Sequence, residues 1–258
     1  MMAELEALIF DVDGTLADTE RDGHRVAFNR AFETSGLDWE WSVTLYGKLL
    51  AVTGGKERIR HYLDHYNPDY PRPDDLDGFI AALHASKTEH YTRMLSQGLI
   101  PMRNGVKRLL QEARQAGLRL AIATTTTPAN VSALLQHSLS PDAESWFEVI
   151  AAGDIVAAKK PAPDIYLWAM QQMGLPADAC LAFEDSHNGV QSAQRAAIDS
   201  ILVTTNGYTD EDDFSGATLV IDQFGEPDQP FQVKSGTANG HNYVDIALLQ
   251  TLHGRSDR

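Results

Sequence analysis

Short apolar runs recur along this chain, separated by stretches in which apolar residues return every three or four positions. Residues 5–10, Leu-Glu-Ala-Leu-Ile-Phe, are β-prone and run into Asp-Val-Asp-Gly-Thr. Residues 118–123, 147–152, 179–183, 200–204 and 219–221 are further strand-like runs. Between them, Val106, Leu109, Leu110 and Ala113 trace the i, i+3, i+4, i+7 stripe of an amphipathic helix, which Gly117 ends. Val131, Leu134 and Leu135 begin a second stripe. Ile165, Trp168 and Met173 mark a third, closed by Gly174, and residues 190–197 a fourth. Strands alternating with helices predict an α/β fold built on a doubly wound parallel sheet.

One block breaks this alternation. Residues 18–35 read as a helix, with Ala27 and Ala31, and Phe28 and Phe32, each at spacing four. A break at Gly54-Gly55 precedes a helix over 56–65, a proline- and aspartate-rich loop over 67–77, and a helix over 76–96. The pattern predicts a helical cap, residues 18–96, inserted into a core made of residues 1–17 and 97–258. Doubly wound sheets bind ligands at the carboxyl ends of their strands. An insertion directly after the first strand is therefore expected to act as a lid.

Composition narrows the possibilities. The 258 residues are 43% hydrophobic and 22% charged, which is globular rather than disordered. With 21 Lys+Arg against 36 Asp+Glu the formal charge is −15. That argues against nucleic acid or an anionic membrane as partner by bulk attraction, but leaves a small anionic substrate open. Cys180 is the sole cysteine, so no internal disulfide forms. The first residues carry no basic signal-peptide start, and no run approaches the ~18 apolar residues of a membrane span. A soluble, cytoplasmic enzyme or binding protein is expected.

Asp11 and Asp13 follow the first strand, two residues apart, with Gly14 allowing a sharp exit. Their carboxylates fall on one side of the chain, and such a pair calls for Mg²⁺ or a displaced pKa. A solvated turn is the bland alternative. Later segments outweigh it. Thr124 to Thr127 follow one strand, Lys159-Lys160-Pro161 precedes a helix, and Glu184-Asp185-Ser186 ends another strand. Each has an ordinary reading, since threonines suit strands, lysines suit surfaces and Glu-Asp-Ser suits a helix start. Together they offer metal ligands, a nucleophile and positive charge, the needs of phosphoryl transfer.

These four motifs, in this order, resemble the haloacid dehalogenase superfamily along nearly the whole chain. Asp11-Val12-Asp13-Gly14-Thr15 is similar to its first motif, Thr124 to the second, Lys160 before Pro161 to the third and Glu184-Asp185-Ser186 to the fourth. The resemblance implies a Rossmann-like core with a helical cap. It implies Asp11 as the nucleophile that becomes an aspartyl phosphate. Asp13 is implied as the acid and then base, with a pKa raised toward neutrality by nearby negative charge. Mg²⁺ would be held by Asp11, the Asp13 backbone carbonyl, Asp185 and Glu184, the last directly or through water. Lys160 and Thr124 would orient the phosphoryl oxygens, Lys160 being chosen over Lys159 because it abuts the proline.

Substrate choice is expected from the cap. Thr53-Gly54-Gly55-Lys56-Glu57-Arg58 is a glycine-rich turn entering a helix, and two cations there oppose the helix dipole unless an anion joins them. A second phosphate on Lys56 and Arg58 is the reading. Glu20 and His24 are candidates for sugar hydroxyls, and Thr125 and Asn188 for the pocket rim. The cap motif, residues 23–29 and residues 123–130 resemble the CbbY family of xylulose-1,5-bisphosphate phosphatases. That implies conversion of the bisphosphate to xylulose 5-phosphate. The link to Rubisco would run through removal of its inhibitor, not through binding. A β-phosphoglucomutase-like sugar phosphomutase remains the alternative, and a phosphoacceptor signalling protein a more remote one.

Overall fold

A computed structural model describes residues 4–52 and 54–254. The described residues build one seven-stranded sheet from β1 (Ala7–Phe10), β2 (Arg119–Thr124), β3 (Val149–Ala152), β4 (Cys180–Glu184), β5 (Ser200–Thr204), β6 (Leu219–Ile221) and β7 (Val233–Gly236). The order is β3-β2-β1-β4-β5-β6-β7. Strands β1 to β6 pair in parallel and β7 pairs antiparallel with β6. The expected doubly wound sheet is present, with one correction: its last edge strand runs the other way. β7 was not anticipated because Val-Lys-Ser-Gly is exposed throughout and shows no apolar alternation.

Sequence order reverses at β1, where the chain first builds outward to β2 and β3 and then returns to β4. That reversal opens a crevice at the carboxyl ends of β1 and its neighbours. Phe10 pairs with Ile122 on one side and Phe183 on the other. This register sets Asp11 level with Glu184, just past the end of β1.

Thr19–Ile100 forms a compact unit of its own, and the chain on either side of it forms the other. The inserted unit starts with a π-helical turn, Thr19–His24, followed by α1 (Arg25–Thr34), α2 (Val43–Leu49), α3 (Gly55–His65) and α4 (Leu76–Ser96). Its core is aromatic, with Phe28 4.6 Å and Phe32 5.0 Å from Trp41 between ring centres. Two details differ from expectation. The helix foreseen over 18–35 opens as the wider π turn, where Gly23 sits so close to Tyr91 and Ile100 that a Cβ would collide with both. The unit also runs to Ile100, because Leu99 N–H bonds back to Met94 and Ile100 is buried.

In the core unit, α5 (Val106–Gln115), α6 (Pro128–Leu134), α7 (Asp164–Met173), α8 (His187–Arg195) and α9 (Ile246–His253) flank the sheet. One sheet face, carrying Ala7, Ile9, Ala121, Ala123, Ala182 and Val203, packs on α7 and α8. Alternate residues Leu8, Phe10, Ile122, Phe183 and Leu202 face the other way and are equally buried. Burial on both faces explains why these strands read as continuous apolar runs.

Candidate active site

Asp11 caps β1, and its N–H still donates to Phe183 O at 3.0 Å, extending the ladder into the site. Behind it the chain turns sharply: Gly14 N–H donates to Ala17 O at 2.8 Å, with Gly14 at φ +85°. Lys160 comes from the segment between β3 and α7, and its ammonium donates to Asp11 Oδ1 and Glu184 Oε1, each at 2.6 Å. The three side chains are at most 10% exposed. Tyr166, on the first turn of α7, donates its hydroxyl to the same Glu184 oxygen. Asn206 donates to Asp185 Oδ2 at 2.8 Å. Lys159 is turned elsewhere, paired with Asp154 at 2.8 Å.

Burial drives the electrostatics. Asp11 is pushed up to about 7, first by burial and then by Glu184 and Asp13, against the pull of Lys160. Asp185 is raised well above the usual carboxylate range, again by burial, with Asp11 and Glu184 adding to it. Burial works against the charge of Lys160, yet Asp11 and Glu184 outweigh it and raise the lysine overall. One ammonium thus faces more negative charge than it can compensate.

Among the described residues, Asp11, Glu184 and Asp185 each offer an oxygen, all within 4.8 Å of one another. Glu184 Oε2 is buried without a hydrogen-bond partner. Gly189 lies so close that any Cβ there would strike this carboxylate. Hard oxygen donors, surplus negative charge and an orphaned buried oxygen fit a Mg²⁺ ion.

Asp13 accepts from Thr126 Oγ1, and Thr126 N–H donates to Thr124 Oγ1 at 3.3 Å. Thr124 is buried at the end of β2, Thr125 is exposed beside it, and Asn188 is exposed on the first turn of α8. All four threonines of this run were expected to offer hydroxyls to a phosphate, with individual roles for Thr124 and Thr125, and Thr126 is the member that reaches an acid. Tyr166 and Asn206 were also missed, and no local pattern marks them.

Within the inserted unit, Tyr46 OH donates to Glu20 Oε2 at 2.6 Å and accepts from Arg58 Nη1 at 3.0 Å. His24 Nδ1 lies 2.8 Å from Lys87 Nζ, with its ring stacked on Tyr91. Gly54, at φ +94° and ψ 135°, and Gly55, pressed against His84, shape the start of α3. Thr53 lies outside the described residues. Lys56 and Arg58 do not face the dipole of α3 alone, contrary to expectation. Glu57 occupies the same first turn and supplies the acid that the dipole favours. Arg58 also donates to Leu49 O and Val52 O, so the fold itself employs its guanidinium. His24 is held well below its ordinary pKa, first by burial and then by Lys87, Arg58 and His84. His84 is lowered by burial and then by Lys87 and Lys56. Three cations, Lys56, Arg58 and Lys87, therefore share one neighbourhood with His24 and His84, whose imidazoles burial and these charges hold toward the neutral form.

Carboxylates and an ammonium converging at the switch point of a doubly wound sheet define a site for chemistry on a phosphoryl group. The chain belongs to the haloacid dehalogenase-like hydrolases, whose family model matches residues 5–197. It is an enzyme, a phosphatase of that family. The CbbY protein (plasmid) of Cupriavidus necator is 48% identical over 250 residues, 96% of this chain and 97% of that one. A crystal structure of CbbY from Rhodobacter sphaeroides in complex with phosphate is 44% identical, with a TM-score of 0.69 over 85% of this chain and 94% of that one. A mutant of that protein in complex with xylulose-(1,5)bisphosphate is 43% identical at the same TM-score and coverage.

Proposed function

We propose that the protein hydrolyses a sugar bisphosphate, xylulose-1,5-bisphosphate to xylulose 5-phosphate, through an aspartyl phosphate on Asp11. The observation that carries the reading is the buried contact of Asp11 with Lys160 beside Glu184 and Asp185. An Oδ of Asp11 attacks phosphorus while the bond to the sugar oxygen breaks, and Asp13 delivers a proton to the departing alkoxide. Asp13, now a carboxylate, takes a proton from the water that attacks the aspartyl phosphate, releasing inorganic phosphate and restoring Asp11. Thr126 holds Asp13 for both transfers. Lys160 and Thr124 meet the phosphoryl oxygens and offset the charge that develops on them. Held by Asp11, Glu184, Asp185 and the Asp13 carbonyl, Mg²⁺ supplies electrostatic stabilisation of that charge.

The three cations Lys56, Arg58 and Lys87, gathered around His24 and His84, support recognition of a second phosphate, and Glu20 offers an acceptor for a sugar hydroxyl. Similarity to a CbbY captured with xylulose bisphosphate favours this substrate over other sugar phosphates. A consequence is that the enzyme relates to Rubisco by removing an inhibitor, without binding to it. The test is a phosphate-release screen over sugar mono- and bisphosphates, with Mg²⁺ and with chelator. Highest kcat/KM on xylulose-1,5-bisphosphate, one phosphate released per sugar and loss of activity with chelator are expected. Formation of an isomeric phosphate without phosphate release would instead identify a mutase.

A further inference from the structure

Asn206 stands two residues past the end of β5 and touches Asp185, and nothing in the reaction itself requires it. Its orientation is set by its own turn. Oδ1 accepts the Tyr208 N–H at 2.9 Å, its N–H donates to Thr209 Oγ1 at 3.2 Å, and its carbonyl accepts the Thr209 N–H at 3.0 Å. With Oδ1 committed to a backbone donor, the amide can present only its NH₂ end to Asp185, and Nδ2 donates to Oδ2 at 2.8 Å. The hydrogen-bond network therefore decides the amide's direction.

Gly14 makes room for the pair. A Cβ there would collide with Asp185 Oδ2 and lie 2.8 Å from Asn206 Nδ2, and φ at +85° already favours glycine. Arg103, whose side chain is 9% exposed, fastens both sides of the arrangement. Its guanidinium donates to the Gly14 carbonyl, to Thr204 Oγ1 at 3.0 Å and to Thr205 O, directly before Asn206.

We propose that Asn206 is a positioning residue for the divalent-cation site: its amide takes up Oδ2 of Asp185, so that this carboxylate presents a fixed oxygen to the ion. The proposal rests on the reading of Asp11, Glu184 and Asp185 as ligands. Without the amide, the Asp185 carboxylate turns about its last bond and must be ordered at the moment the ion binds. Groups in this outer position typically contribute 10–100-fold to metal affinity.

The test is Mn²⁺ binding to the metal-free full-length protein, followed by loss of the free-ion paramagnetic resonance signal, with no substrate and no turnover involved. Asn206→Ala is expected to bind Mn²⁺ about 10–100-fold more weakly than wild type, with a metal-free melting temperature close to wild type. Asp185→Asn is expected to abolish the site. Unchanged affinity in Asn206→Ala, with loss in Asp185→Asn, overturns the role of Asn206. Unchanged affinity in both variants overturns the ligand reading on which it stands. If the alanine variant does not fold, Asn206→Ser, which keeps an oxygen for the turn, is read in the same way.

Discussion

Asp11 must meet two opposed demands. The proposed reaction needs it ionised to attack phosphorus, yet burial, with Glu184 and Asp13 beside it, pushes its carboxyl up to about 7 from an ordinary 3.8. A raised carboxyl means that the folded protein holds a proton which the unfolded chain has already lost. Its contribution to stability is therefore largest below about pH 4 and disappears as pH rises through 7. Lys160, raised from 10.5, adds no slope in this window because it is charged in both states. Metal-free protein is thus expected to lose melting temperature between pH 5 and 8, and Asp11→Asn to flatten that slope. Added Mg²⁺ should raise the melting temperature more at pH 8 than at pH 5. Equal slopes in wild type and Asp11→Asn, measured by differential scanning fluorimetry, would refute this assignment. Asp11, Lys160, Glu184 and Asp185 were legible in the sequence because strand ends in a doubly wound sheet converge and short motifs mark those ends. Asn206 and Tyr166 were not, since their roles arise from contacts made only after folding.

At the scale of elements, Arg103 joins pieces of chain that meet only in the fold. Besides Gly14, Thr204 and Thr205 it donates to Asp222 O at 2.8 Å after β6, and its Nε lies 3.3 Å from Asp18. Replacing it with methionine takes these donors from the buried carbonyls and removes the ion pair with Asp18. Arg103→Met is expected to cost about 3 kcal/mol of stability, the scale of a broken buried ion pair. Urea denaturation checks this, and a loss below about 0.5 kcal/mol, the size of an ordinary surface substitution, would contradict it. No sequence pattern identifies such a hub, whose contact with Gly14 spans 89 residues. The same physics sorts the elements themselves. The buried strands β1 to β6 were readable as apolar runs. The exposed β7, the seven-residue α2 and the eight-residue α9 lacked either the pattern or the length to stand out. In the cap, the glycine turn was legible as a feature, but the reason for its charges was not. Glu57 answers the dipole, and Lys87, far along the chain, completes the cationic neighbourhood.

For the molecule as a whole, the −15 charge and the anionic substrate are compatible. At physiological salt the Debye length is about 8 Å, so remote surface acids are screened. In the proposed reaction the charge that counts is local: Lys160 beside Asp11, and a cation that the buried acids Asp11, Glu184 and Asp185 would hold. Among the described residues no helix is long and apolar enough to cross a membrane. The most direct test of the chemistry is an acid quench within the first turnover on xylulose-1,5-bisphosphate, followed by peptide mass spectrometry. A single phosphoryl group on Asp11 of the wild-type protein, and none on the folded Asp11→Asn variant, is the expected result. Steady phosphate release from Asp11→Asn at near wild-type rate, or a wild-type protein that turns over with no phosphorylated Asp11 peptide, would contradict it.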